Sequence, residues 1–75
     1  MRTITITSEF ITLGQFLKFV GIVDYGGQAK EFLQNHEIKI NGENENRRGR
    51  KLYPGYEVVI DGDGYVVRAD DSKEA

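Results

Sequence analysis

The sequence contains no cysteine, only one histidine and no long apolar run, and each shortage closes off a class of function. Without thiols there is no disulfide framework, no thiolate metal site and no cysteine nucleophile. No stretch approaches the ~18 apolar residues of a bilayer-spanning helix, and the first residues lack the basic-then-apolar pattern of a secretory leader. The expected setting is therefore the cytoplasm, away from membranes. His36 stands beside Glu37 where a helix is expected to end. Nothing in the sequence points to a nucleophile and an orienting group that would make it a catalytic base, and no spaced partner makes it a metal ligand. Its expected role is to interact with the last carbonyls and the dipole of that helix. A chain of 75 residues holds one domain. Such a domain buries only ~60% of its unfolded surface, too little to enclose a deep active-site cavity.

Ten Lys and Arg stand against twelve Asp and Glu, for a formal net charge of −2, which on average argues against a polyanionic partner. The distribution says otherwise. Residues 1–56 carry eight basic and six acidic side chains, whereas residues 57–75 carry two basic and six acidic ones. Arg47, Arg48, Arg50 and Lys51 fall within five consecutive positions. Arginine presents planar donors matched to phosphate oxygens and stacks on unpaired bases. Four clustered cations repel one another unless a counter-charge is present, which favours an anionic partner. Glu43 and Glu45 just upstream are candidates to neutralise the cluster within the chain, and a charged face that aids solubility is the bland alternative.

The residues 3–7, Thr-Ile-Thr-Ile-Thr, alternate at period two and read as a strand at a sheet edge. Thr12-Leu13-Gly14-Gln15 has the form of a capping box, and Leu13, Phe16, Leu17 and Val20 recur at helical spacing, so a first helix is expected over about 12–20 with Gly21 as its stop. Phe19 lies off that stripe; packing on the first strand is its expected role, and stacking on a base the alternative. Ala29, Phe32 and Leu33 mark a second helix over about 27–36. Ile38-Lys39-Ile40 is a strand running into Asn41-Gly42, the strongest turn signal in the chain. Residues 43–51 contain no apolar side chain and read as an exposed loop or polar ribbon. Pro54-Gly55 is a turn, Val58-Val59-Ile60 a central strand, Asp61-Gly62-Asp63-Gly64 a hairpin connection and Tyr65-Val66-Val67 the returning strand, with a tail fraying from Asp70. The expected fold is α+β, a two-helix pair packed on a small twisted, mainly antiparallel sheet.

Two short motifs resemble ligand loops without completing them. Asp61-Gly62-Asp63-Gly64 lacks the third ligand and the distal Glu of a calcium loop and is expected to be a plain turn. Gly26-Gly27 completes neither dinucleotide nor P-loop spacing. These glycines either permit a sharp turn between helices or let a phosphate approach the exposed N–H groups of the second helix, with Lys30 adding charge. No motif calls for a cofactor or a metal.

Taken together, Leu13, Leu17 and Gly21 on the first helix, Ala29 and Leu33 on the second, Ile38-Lys39-Ile40-Asn41-Gly42 and Gly55 resemble the S-four domain, the RNA-binding module named after the fourth protein of the small ribosomal subunit. The pattern spans about residues 12–60. Gly26-Gly27-Gln28-Ala29-Lys30, Asn41-Gly42-Glu43 and the Arg47–Lys51 cluster are similar to the small stand-alone bacterial proteins of the YaaA or YbcJ type. The resemblance implies one such domain over 1–69 followed by an acidic tail over 70–75, and a helix-pair face for structured RNA, ribosomal or transfer, with the basic loop beside it. A ribosome-associated or other protein is a further partner. Two positions depart from the family pattern. Tyr25-Gly26 replaces the Ser-Arg at the start of the second helix, and Tyr56 replaces the Asp after Gly55. The missing charge is then expected from Lys30, Arg47, Arg48, Arg50 and Lys51, with Lys18 assisting, Gly27 admitting a phosphate, and Gln28 and Asn41 hydrogen-bonding at the same face. The expected function is non-enzymatic recognition of RNA shape and backbone. The alternative is an assembly adaptor whose basic loop docks an acidic protein. A small hydrolase or transferase would need a nucleophile or paired carboxylates that the sequence does not offer.

Overall fold

The computed structural model describes residues 1–70. In chain order its elements are β1 (Arg2–Ile6), β2 (Ile11–Thr12), α1 (Leu13–Phe19), α2 (Gly26–Asn35), β3 (Ile38–Ile40), β4 (Glu43–Asn44), β5 (Lys51–Leu52), β6 (Glu57–Ile60) and β7 (Asp63–Ala69). Five strands form one sheet in the order β1-β7-β6-β3-β4, and β2 pairs with β5 in a second, two-stranded ribbon. Every pairing is antiparallel except β1 with β7. The protein is thus α+β, two helices on a mainly antiparallel sheet.

Alternation in the strands decides which sheet face the helices cover. Ile38 and Ile40, Val58 and Ile60, and Tyr65 and Val67 are buried, whereas the residues between them stand on the other face, including Lys39, Glu57, Val59 and Arg68. The helices contribute Leu13, Phe16, Leu17, Ala29 and Leu33 to the same core, and the Phe16 ring meets Tyr65 edge-on with centroids 5.2 Å apart. β1 lies at the sheet edge, as its sequence indicated.

α1 has well-defined ends. The Thr12 hydroxyl accepts the Gln15 N–H at 3.2 Å, and the Gln15 side-chain oxygen accepts the Thr12 N–H at 2.9 Å, completing the capping box. At the other end Gly21 N–H donates to Lys18 O and Ile22 N–H to Leu17 O, a Schellman closure that needs the left-handed φ of +83° at Gly21. The expected span 12–20 therefore included both caps, Thr12 and Val20, of a seven-residue helix. α2 begins one residue earlier than expected and ends at Asn35, with His36 already extended. Asn41 (φ 52°) and Gly42 (φ 87°) make the tight turn that joins β3 to β4.

Some expectations need correction. The last hairpin turns at Asp61-Gly62 alone, and Asp63-Gly64 already belong to β7, where Gly64 leaves room for the Met1 side chain. Asp70 is not frayed, since its N–H donates to Ile6 O at 2.9 Å; residues 71–75 of the expected tail lie outside the described residues. His36 does not turn to the last carbonyls of α2: its Nδ1 lies 2.6 Å from Asp61 Oδ2, and its ring stacks on Phe32 at 3.9 Å. Among the described residues no helix is long and apolar enough to cross a membrane.

Candidate nucleic-acid interface

The basic segment is held against the start of α1 by backbone bonds. Thr12 pairs with Lys51 and Ile11 with Leu52 in the two-stranded ribbon. The N–H groups of Leu13 and Gly14, which an isolated helix leaves without partners, donate to Arg50 O and Arg48 O at 2.8 Å each. The approach is close enough that a Cβ at Gly14 would just reach contact, 3.4 Å from both the Cβ and the carbonyl oxygen of Arg48, and a larger side chain would not fit without displacing the loop. The loop is consequently a fixed part of the helix face.

Within the loop the four cations are not equivalent. Glu45, whose side chain is only 6% exposed, accepts Arg47 Nε at 2.9 Å and Arg50 Nη1 at 2.8 Å. It also accepts Arg47 Nη2 at 3.1 Å and the backbone N–H groups of Asn46 and Arg47. The Arg47 guanidinium first, then the backbone N–H of Arg47 and the Arg50 guanidinium, hold its carboxyl at about 2, well below 4.5, against the opposing effect of burial. The expected exposed loop therefore contains one nearly buried carboxylate, and the mutual repulsion expected of the cluster is relieved from inside. Arg47 and Arg50 are clamped, with Arg50 partly buried. Arg48 and Lys51 have no carboxylate partner among the described residues. Lys51 places its ammonium 4.8 Å from the Phe10 ring centroid.

Arg48 turns toward the helix pair, and its Nη1 donates to Gly26 O at 3.3 Å. It lines an open hollow of about 330 Å³ with Thr12, Gly14, Gln15, Lys18, Gly26 and Gly49. Lys18, in the last turn of α1, supplies a second cation without a carboxylate partner among the described residues. Gly26, the first residue of α2, also lines the hollow. Tyr25 gives that helix no side-chain cap, so the N–H groups of Gly26 and Gly27 are left for solvent or an anion. Lys30 is exposed and lies one turn after Gly26, hence on the same side of α2. The hollow thus brings together two cations, a helix start and small residues, an arrangement suited to phosphate oxygens.

Other expected site residues lie elsewhere or are engaged. The Gln28 side-chain oxygen accepts the Asp24 N–H at 2.6 Å and so shapes the turn before α2. Asn41 is tied to β6: its side-chain oxygen accepts the Glu57 N–H at 2.9 Å, and its own N–H donates to Glu57 O. The oxygens of both amides are thus already used within the fold. Phe19 does not pack on the first strand; it is 58% exposed. Gly14 and Gln15, which the sequence places in the capping box, are also walls of the hollow. A glycine in the first turn of a helix, where it weakens the helix, was the signal available.

The family model described as S4 domain matches residues 4–68. The chain is also similar to the probable ribosome maturation protein RlbA of Bacillus subtilis (strain 168), with 56% identity over 61 residues that cover 81% of this chain and 86% of that protein. With the two helices, the Asn-Gly turn and the sheet arranged as described, the chain belongs to the S4-domain family.

Proposed function

We propose that this protein is a non-catalytic RNA-binding module, occupying residues 1–69, that takes part in ribosome maturation by holding structured ribosomal RNA through its backbone. The observation that carries this reading is the hollow where Lys18 and Arg48, both without carboxylate partners among the described residues, face the uncapped start of α2. The S4 family and the likeness to a probable ribosome maturation protein support the setting. Contacts from cations and helix N–H groups read phosphate position rather than base identity, which suits the regular backbone of folded RNA. If exposed Lys30 and Lys51 add one contact each to those of Lys18 and Arg48, about four phosphates are neutralised, and affinity then falls roughly 50- to 150-fold between about 50 and 200 mM salt.

The test is fluorescence anisotropy with a labelled ribosomal RNA fragment, transfer RNA and duplex DNA of equal length. The parent protein is expected to prefer ribosomal RNA, and the Lys18→Ala/Arg48→Ala double variant to lose most of that affinity and flatten its salt dependence. Equal binding by the double variant would sink the assignment of the hollow, and equal affinity for duplex DNA would sink the reading of RNA geometry. Recovery of a protein partner that survives nuclease treatment, with no RNA bound, would favour the adaptor alternative.

A further inference from the structure

Phe19 is a large apolar side chain left open to solvent at the end of α1, and its surroundings give that exposure a direction. It lines a shallow hollow of about 410 Å³ with Ser8, Ile11, Gln15 and Lys18. Gln15 and Lys18 also line the cationic hollow that contains Arg48 and Gly26, so the two depressions form one continuous surface with Lys18 on their shared border. Among the described residues Phe19 and Tyr25 are the aromatic side chains without a ring or cation contact, and of the two only Phe19 lines a hollow that adjoins the cationic one. The ring is also held on firm backbone, because the Schellman closure at Gly21 and Ile22 ends the helix immediately after it. A lone exposed aromatic needs no explanation by itself. An exposed ring that shares a border with a phosphate-directed cation has the layout with which proteins hold an unpaired nucleotide, base on the ring and phosphate on the cation.

We propose that Phe19 is a stacking platform for one unpaired nucleobase, so that the RNA fitting this surface carries a bulge or an open helix end next to the backbone held by Lys18 and Arg48. This rests on the RNA-binding reading and narrows it from folded RNA in general to RNA with an unstacked base at that position. A continuous duplex covers the cationic hollow and leaves the ring unused. Because the ring recognises a π-face, base identity at the bulge matters little.

The experiment uses two fluorescein-labelled RNA hairpins, identical except that one carries a single-nucleotide bulge in its stem, titrated at one fixed ionic strength. The parent protein is expected to bind the bulged hairpin more tightly, by roughly five- to 150-fold, the range that ~1–3 kcal/mol of base–aromatic stacking provides. Phe19→Ala is expected to erase that preference while keeping the parent's affinity for the perfect stem, and Phe19→Trp to restore it. Arg48→Ala is expected to weaken binding to both hairpins by the same factor. Circular dichroism melts check that the variants remain folded, which the exposure of the side chain favours. Equal binding of both hairpins by the parent, or a preference that survives Phe19→Ala, overturns the stacking role and leaves RNA binding standing. Failure to bind either hairpin counts against the RNA reading and removes this inference with it.

Discussion

Replacing Glu45 by Gln separates what the basic loop contributes to stability from what it offers a ligand. The carboxylate receives two bonds from Arg47, one from Arg50 and two from backbone N–H groups, and its own N–H donates to Ile38 O at 2.9 Å. The fall of its carboxyl from 4.5 to about 2 corresponds to ~3 kcal/mol of preference for the charged form. Arg47 is 73% exposed, so solvent screens its share of that value. A loss of ~1–2 kcal/mol is therefore expected for Glu45→Gln at neutral pH, equivalent to a fall of about 4–15 °C in melting temperature. The folded-state value lies below the unfolded one, so this contribution is complete above about 4.5 and disappears as pH falls through about 2. Urea unfolding followed by circular dichroism should show parent and variant well separated at neutral pH and converging on acidification. RNA affinity should move the other way: the variant frees Arg47 and Arg50 and removes one negative charge, so it binds RNA more tightly than the parent at low salt and with a steeper salt dependence. Unchanged stability at neutral pH, or an acid limb identical to the parent's, would refute the clamp.

Two further perturbations probe how the surface is positioned. Gly14→Val should cost ~1–3 kcal/mol by driving its branches into Arg48, and should weaken RNA binding in anisotropy, whereas Gly14→Ala, whose Cβ just reaches contact, should retain both melting temperature and affinity. Asp61, held below 3.8 by the His36 ring and then by the Glu37 N–H, adds stability that is present above that value and lost as pH falls below it. Asp61→Asn should therefore narrow the difference in urea midpoint between neutral and acidic pH, without changing RNA affinity at neutral pH.

What the sequence revealed depends on how far apart the interacting residues lie. Thr12 and Gln15 are three residues apart, and Asn41-Gly42 is a local turn, so both could be recognised directly from residue type. The alternation in β3, β6 and β7 named their buried faces for the same reason. The parallel pairing of β1 with β7 joins the two ends of the described chain, and the His36–Asp61 contact spans 25 residues, so neither leaves a local pattern. Glu45 was visible as a possible counter-charge because it precedes Arg47 by two residues, but its burial depends on the whole loop folding over it. In the sequence Phe19 stands beside an amphipathic stripe, where an aromatic residue usually packs. Its exposure follows from where α1 sits on the sheet, which spacing along the helix does not specify. The cations were identified as residues, but their division into clamped Arg47 and Arg50 and open Lys18 and Arg48 is a property of the fold.

The most direct test of the central claim is ultraviolet crosslinking of the intact protein to ribosomal RNA, followed by mass spectrometry of the crosslinked peptides. Crosslinks are expected on the segments that carry Lys18 and Phe19, Gly26 and Gly27, and Arg48, all of which border the two joined hollows or the start of α2. Crosslinks confined to Lys39, Val66 and Arg68 on the opposite face of the sheet would contradict the claim.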